Sequence, residues 1–520
     1  MALQASCKWP GNEDCAKAAG ALAGRLANDA RLIAALDPQG VGSVLSALSR
    51  WPDTPVCEAA LSALAARLSV EPDLRNALEP QAVTSALNAL SKWPNMQDCE
   101  KVARALAERL AQDAELREAL TPHGMATVLN ALSKWPDNED CAAAAGALAE
   151  RLAKKPELCE ALDASSLSQA LNALSKWPDN EGCAAAAGAL ADRLTKESQL
   201  VNALDPLGMA NVLNALCKWP DNEDCAAAVS ALAKRLADDS EFCKALQPQG
   251  VAIALNALSK CLARPVCRSA FVLLAERAGS AELPWRQFEM RGIAVVANAI
   301  SRLLDLDEED EEDDEQFRAL GVAKLQAMAG HLDVHRARFA SASAADIGVL
   351  FKALASARLQ RQMRSLGQPA LERLAGLIGD DGLRQTSLEG IGSLCMGLLP
   401  LIRSPELSPR HRVQALRVFD TLQPIVARKI DLYLGGDGAR ASAGIEQHAT
   451  RCPALTFYQV LKAYAVVSRQ WKARHLDGPR KQLRQRRDEL VKWVDQTLER
   501  TREAIEADLG EMSWNLIAQI

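Results

Sequence analysis

The sequence predicts an all-α chain: a right-handed superhelical α-solenoid of repeats 42 residues long, closed by a C-terminal helical cap. Three observations lead there. Trp9, Trp51, Trp93, Trp135, Trp177 and Trp219 recur at a step of 42 with no insertion, and Cys261 keeps the step without the ring. Near-copies surround them, such as "LNALSKWPDNEDC" from Leu129 to Cys141 and "LNALSKWPDNEGC" ending at Cys183. The apolar content is mostly Ala and Leu, with only 4% aromatic residues, which favours helix over sheet. Invariant spacing is what an array requires, because each unit packs on both neighbours and no loop can drift in length.

Within the unit Trp135 to Lys176 each element has a local reason. Pro136 cannot continue the helix that ends at Trp135. Asp137 then occupies the N-cap position, with Asp140 three residues on as a variant capping box. In "EDCAAAAGALAERLAKK" the apolar residues Cys141, Ala144, Ala145, Leu148 and Leu152 form one helical stripe. Acids open this first helix and Lys154 and Lys155 close it, matching the macrodipole. Pro156 starts a short second helix, "PELCEAL". Asp163 caps a third, "ASSLSQALNALSKW", in which Leu167, Leu171 and Leu174 share a face with Trp177. Other copies read "DPQG" or "DPLG", with Pro at the first helical position. Two longer helices and one short one per repeat define the HEAT/armadillo class. Such a unit buries its stripe only by stacking, which generates a superhelix with a concave groove. The tryptophans are expected to fill the seams between repeats. A ligand-facing aromatic ladder is the rival reading, weakened by the loss of the ring at Cys261.

Composition removes several function classes. A chain of 520 residues exceeds the usual size of one core, and a net charge of −6 gives no global field for nucleic acid. No apolar run approaches the roughly 18 residues of a membrane span, so no transmembrane segment is expected. "MALQASCKWP" lacks a secretory signal layout. Of the 14 cysteines, Cys15, Cys57, Cys99, Cys141, Cys183, Cys225 and Cys267 mark the repeat. Equivalent positions in stacked helices lie about 10 Å apart, beyond the roughly 7 Å that a disulfide spans. These thiols therefore read as small buried hydrophobes in a chain working in a reducing compartment. There is no CxxC pair, no P-loop and no GxSxG, and His331 and His335 stand without an HExxH. No catalytic, metal or cofactor-binding residue is expected, and the chain reads as a non-enzyme.

Three regions follow: regular repeats over 1–267 with the first truncated, degenerate helical repeats over 268–434, and a linker with charged helices over 435–520. The beat persists after the regular array, since Asn298 falls 42 residues after Asn256 and Leu303 takes the tryptophan slot. The acidic run 305–315, "DLDEEDEEDDE", reads as an insertion in a loop, solvated or docking a basic partner. "GGDGARASAG" has linker composition. Arg480, Lys481, Arg484, Arg486 and Arg487 form a basic cluster: a solvated helix face paired with Asp488 and Glu489, or an anionic-surface or nuclear-targeting patch. No nucleic-acid reader motif accompanies it.

One row of polar residues is a candidate binding site. Asn88, Asn130, Asn172, Asn214, Asn256 and Asn298 share a third-helix position. Four residues on stand Lys92, Lys134, Lys176, Lys218, Lys260 and Arg302, on roughly the same face. Asparagine amides can donate to and accept from an extended peptide backbone. Equally, each asparagine could bond a neighbouring repeat's backbone, and each lysine could complement a helix C-terminus. The arrangement resembles the third-helix asparagine ladder of armadillo proteins, although there the tryptophan precedes the asparagine and here Trp177 follows Asn172 by five residues.

The recurring "ALNALSKWP" resembles the SKWP-repeat family of type III secreted effectors of plant-pathogenic bacteria. The tetrapeptide stands intact at Ser91–Pro94, Ser133–Pro136 and Ser175–Pro178, with variants at Cys7, Ser49 and Cys217. The resemblance covers residues 2–267. It implies tandem HEAT/armadillo-type repeats, passage from the bacterial cytoplasm by a type III system into the host cytoplasm or nucleus, and a role in virulence. It supplies no catalytic motif. The expected function is a monomeric, non-catalytic scaffold that binds host proteins, including extended or acidic segments, through its concave face. The alternatives are an enzymatic activity concealed in the C-terminal region and an anionic-surface or nucleic-acid adaptor. Residue 1 opens directly into a third helix, so the chain reads as a fragment or a mis-started frame.

Overall fold

The computed structural model describes residues 12–51, 54–305, 311–379, 386, 388–403, 409–434, 460–464, 467, 488–497 and 499–500. Among the described residues every regular element is helical. Packing divides the chain into two units, Met1–Leu232 and Ala233–Ile520. That division falls inside the regular array, whereas sequence regularity changes near residue 267. In a structure held by nearest-neighbour contacts, repeat regularity and packing divisions need not coincide.

The first unit repeats one cassette. Its first helices, Glu13–Asn28, Pro55–Val70, Gln97–Gln112, Glu139–Lys154 and Glu181–Lys196, are each 16 residues long. Its third helices, Pro38–Leu48, Pro80–Leu90, Pro122–Leu132, Ala164–Leu174 and Pro206–Leu216, are each 11. Between them lie short helices such as Pro72–Asn76 and Pro156–Glu160. First helices pack on first helices of adjoining repeats, and third on third, forming two rows. This one-dimensional stacking is an α-solenoid.

The expected core is present. Cys141, Ala144, Ala145, Leu148 and Leu152 are buried, as are Leu167, Leu171 and Leu174. Asp163 caps its helix through the Ser166 amide at 2.7 Å, and Asp37, Thr121 and Asp205 do the same in their repeats. Two details differ from expectation. The third helix ends at Leu132, not Trp135, because the chain tightens: Lys134 and Trp135 donate to the carbonyls three residues back, Ala131 and Leu132. The first-helix cap is Asn138, not Asp137, whose place falls in the turn after Pro136. Asn138 Oδ1 accepts from the Cys141 amide at 3.0 Å, and Asn12, Asn180 and Asn222 repeat the bond. A Cβ on Gly146 would stand 2.8 Å from Asn180 Nδ2, so that glycine makes room for the next repeat's cap.

Two ladders tie successive repeats. Trp93, Trp135, Trp177 and Trp219 are buried in the seams. The indole Nε1 of Trp135 donates to the Pro94 carbonyl at 3.0 Å, and Trp177 and Trp219 donate to Pro136 and Pro178 at 2.9 Å. These four tryptophans therefore serve the stack, as the seam reading expects. The second ladder is arginine. Arg67 Nη1 donates to the Leu36 carbonyl, Arg109 to Leu78, Arg151 to Leu120 and Arg193 to Leu162, at 2.8, 2.8, 3.0 and 2.6 Å. The same nitrogens reach Ile33, Arg75, Arg117 and Cys159. Each guanidinium thus satisfies carbonyls left open where the preceding short helix ends.

The second unit keeps two rows with less regular parts. Pro248–Leu258, Met290–Ser301, Ala344–Ser356 and Leu388–Arg403 pack in succession, and so do Pro265–Arg277, Glu311–Val334, Gln360–Gly379 and Pro409–Leu434. Leu303, in the tryptophan slot, is buried. The acidic run 305–315 is not all loop: from Glu311 onward it is helical, opening the 24-residue helix Glu311–Val334. Acids at a helix N-terminus complement its dipole, which is why the run extends the helix. In the terminal region Tyr464 donates to the Phe419 carbonyl at 2.6 Å and its ring meets Phe419 and Trp493 edge-on. This cluster seats the described terminal residues on Pro409–Leu434.

Candidate functional site: a polar face on the third helices

The third helices each bury one side and present the other. In Pro122–Leu132 the outward residues are His123, Thr127 and Asn130, continued by Lys134 in the turn beyond. The same positions carry Gln81, Ser85, Asn88 and Lys92 one repeat earlier, and Ser165, Gln169, Asn172 and Lys176 one repeat later. The next repeat offers Leu207, Asn211, Asn214 and Lys218, and the first offers Gln39, Ser43, Ser46 and Arg50. No carboxylate stands at any of these positions in the first unit, although the whole chain carries −6.

Asn88, Asn130, Asn172 and Asn214 are all half-buried, while Lys92, Lys134 and Lys176 are exposed. Main-chain carbonyls of the first three asparagines accept the hydroxyls of Ser91, Ser133 and Ser175 at 2.7–2.8 Å. Their side-chain amides make no hydrogen bond with any described residue, nor are their polar atoms sealed from solvent. Bonding to a neighbouring repeat's backbone, the structural role open from sequence, is thus not what these three amides do. Lys92 and Lys134 form no ion pair with any described residue. The turn beyond Lys134, Lys176 and Lys218 carries an acid three residues on, Asp137, Asp179 and Asp221 in three successive repeats, and burial pushes the Asp137 carboxyl up. A second row of acids, the third-helix caps Asp37, Glu79, Asp163 and Asp205, lies at the far end of an 11-residue helix, about 16 Å away, beyond the roughly 8 Å screening length of physiological salt. Asp163 is also held well below the usual carboxylate range, chiefly by the Ser166 amide it accepts.

In the second unit Asn256 and Asn298 are half-buried in Pro248–Leu258 and Met290–Ser301, and Lys260 is exposed. Arg302 reaches back to the Ser259 hydroxyl at 3.3 Å.

Other candidate chemistry is not assembled. Burial pushes the thiols of Cys99, Cys141, Cys183 and Cys225 up to about 12, so they are protonated and unreactive at neutral pH. The rings of His331 and His335 meet at 4.5 Å, tilted by 47°, and His331 is held low by burial and by His335, Arg338 and Arg286. Positive neighbours oppose a metal cation there. Between Arg336–Ser341 and Gln360–Gly379 lies a cleft whose polar groups are already paired: Arg336 with Asp333, Arg373 with the Ala342 carbonyl, Gln368 with Glu372. The basic cluster at Arg480, Lys481, Arg484, Arg486 and Arg487 lies outside the described residues.

No protein-family model matches the chain, and no curated protein matches it. Among known structures it is similar to a chain of a full-length AP-3 complex in an intermediate open conformation, at 14% identity over 95% of this chain and 92% of that one, with a TM-score of 0.23. It is also similar to a circular tandem repeat protein with novel repeat topology, at 11% identity over 93% and 97%, with a TM-score of 0.19. At these scores the fold rests on the repeat packing described above, not on either overlay.

Proposed function

We propose that the chain is a type III secreted effector that acts in the host plant cell as a non-catalytic scaffold, binding host proteins through the third-helix face. The observation that carries the binding reading is the row of asparagine amides, exposed to solvent and unpaired at Asn88, Asn130 and Asn172. An unengaged amide offers one donor and one acceptor direction to a passing peptide backbone. Supporting it, each repeat adds a cation in a row of positions that holds no acid. The effector assignment rests on the SKWP tetrapeptides and their spacing. The test substitutes Asn130, Asn172 and Asn214 together by Ala in the full chain. Capture of its partners from plant extract is lost while the melting temperature stays within a few degrees. Retained capture, or a collapse of stability, refutes the reading.

A further inference from the structure

Resting on that binding face, we infer that its ligand is an acidic polypeptide in the polyproline II conformation, with one carboxylate at every third residue. The period follows from matching two rises. Third helices of adjoining repeats pack directly on one another, and packed helices stand about 8–10 Å apart. A ligand lying along the row must offer a repeating group at that interval. A polyproline II chain rises about 3.1 Å per residue with three residues per turn, so every third side chain faces the same way at about 9.3 Å. A β-extended ligand fits worse. Its side chains alternate, so same-face groups recur at about 6.6 Å.

The chemistry at each step is supplied by two constant positions. Asn88, Asn130 and Asn172 meet the ligand backbone, which in polyproline II has no internal hydrogen bonds and leaves its carbonyls available. Lys92 and Lys134, exposed and without an ion pair to any described residue, each meet one carboxylate. What changes between repeats lies ahead of the asparagine: Gln81 and Ser85, His123 and Thr127, Ser165 and Gln169, Leu207 and Asn211. Those pairs meet the residues between the carboxylates, so tolerance there varies along the ligand.

The experiment measures fluorescence anisotropy of the full chain with a labelled (Pro-Pro-Glu)5 peptide. A second peptide has the same glutamate count at every second residue, and a single-stranded oligonucleotide of equal charge serves as competitor. The three-residue spacing binds at least tenfold more tightly than the two-residue spacing. The double variant K92Q/K134Q, both at exposed unpaired positions, loses at least tenfold while melting as the parent does. Binding of the two peptides within twofold of each other overturns the inference, as does no binding of either. Competition by the oligonucleotide at equal concentration also overturns it. If the asparagine variant loses host-protein capture while the peptides bind alike, the proposed function stands and this inference falls.

Discussion

Replacing Trp177 separates a tryptophan that builds the stack from one that serves a ligand. Its indole is 1% exposed and Nε1 donates to the Pro136 carbonyl at 2.9 Å. Truncation to Ala removes a large buried aromatic, a change that costs about 3–5 kcal/mol. Within that sum, stranding the Pro136 carbonyl accounts for about 1–3 kcal/mol. Trp177→Phe keeps most of the ring and loses the bond, so its cost is the smaller figure. Array stability is a sum of repeat and interface terms, so the loss stays close to one seam. Native-state hydrogen exchange is the assay, read over Pro122–Leu132 and Ala164–Leu174 against Glu13–Asn28. Each 1.4 kcal/mol is tenfold in an equilibrium constant, so a 3 kcal/mol loss speeds exchange by about a hundredfold at the seam. The distant helix keeps its protection. If Trp177→Ala exchanges as the parent does while ligand binding disappears, the ladder faces a ligand and the seam account is wrong.

Arg151→Ala leaves the Arg117 and Leu120 carbonyls without their guanidinium, and chemical denaturation shows a loss of about 2–3 kcal/mol. Asn138→Ala removes a cap and costs about 1 kcal/mol in the same assay, whereas Asp137→Ala costs much less because Asp137 does not cap. The buried thiols of Cys99, Cys141, Cys183 and Cys225 label with a thiol reagent at pH 8 only after denaturant is added. Their pKa is raised, from an ordinary value of about 8.5 to about 12 for Cys141, so the stability they favour is complete below the ordinary value. It is lost as pH climbs from there toward about 12, and the melting temperature falls across that window. His331 runs the other way. Its folded pKa is lowered, so its contribution is complete above about 6.5 and is lost as pH falls below it. His331→Gln flattens that acid limb in a melting series from pH 7 to 5.

Much of the fold is legible because its causes are local. The stripe from Cys141 to Leu152, the Asp163 cap and the prolines at first helical positions each act within a few residues of themselves. What escapes a reading of the sequence is the partner across a repeat. Arg25, Arg67, Arg109, Arg151, Arg193, Arg235 and Arg277 keep the 42-residue step as faithfully as the tryptophans. A basic residue in a last helical turn already has a local explanation in the dipole, so nothing in the sequence points to carbonyls 31 and 34 residues back. Asn138 was hidden for a smaller reason. Asp and Asn both cap well, and the turn after Pro136 decides which one reaches the Cys141 amide. The shared face of Asn172 and Lys176 follows from helical geometry alone. Whether the amide reaches a neighbour depends on the gap between packed helices, which composition does not encode.

The internal comparison of repeats bears on that gap. Tryptophan and arginine recur because each closes a bond to the preceding repeat, and cysteine recurs because it fills the core. Asn88, Asn130 and Asn172, with Lys92 and Lys134, recur after Ser46 and Arg50 of the first described copy and do neither. Meanwhile the outward positions ahead of them match between Gln39, Ser43 and Gln81, Ser85, and then change through His123, Thr127, Ser165, Gln169, Leu207 and Asn211. Copying of the unit alone would leave all outward positions free to diverge together. From Asn88 to Lys218, divergence at two positions and constancy at two is the pattern that the proposed binding face predicts, with the constant pair gripping and the variable pair reading.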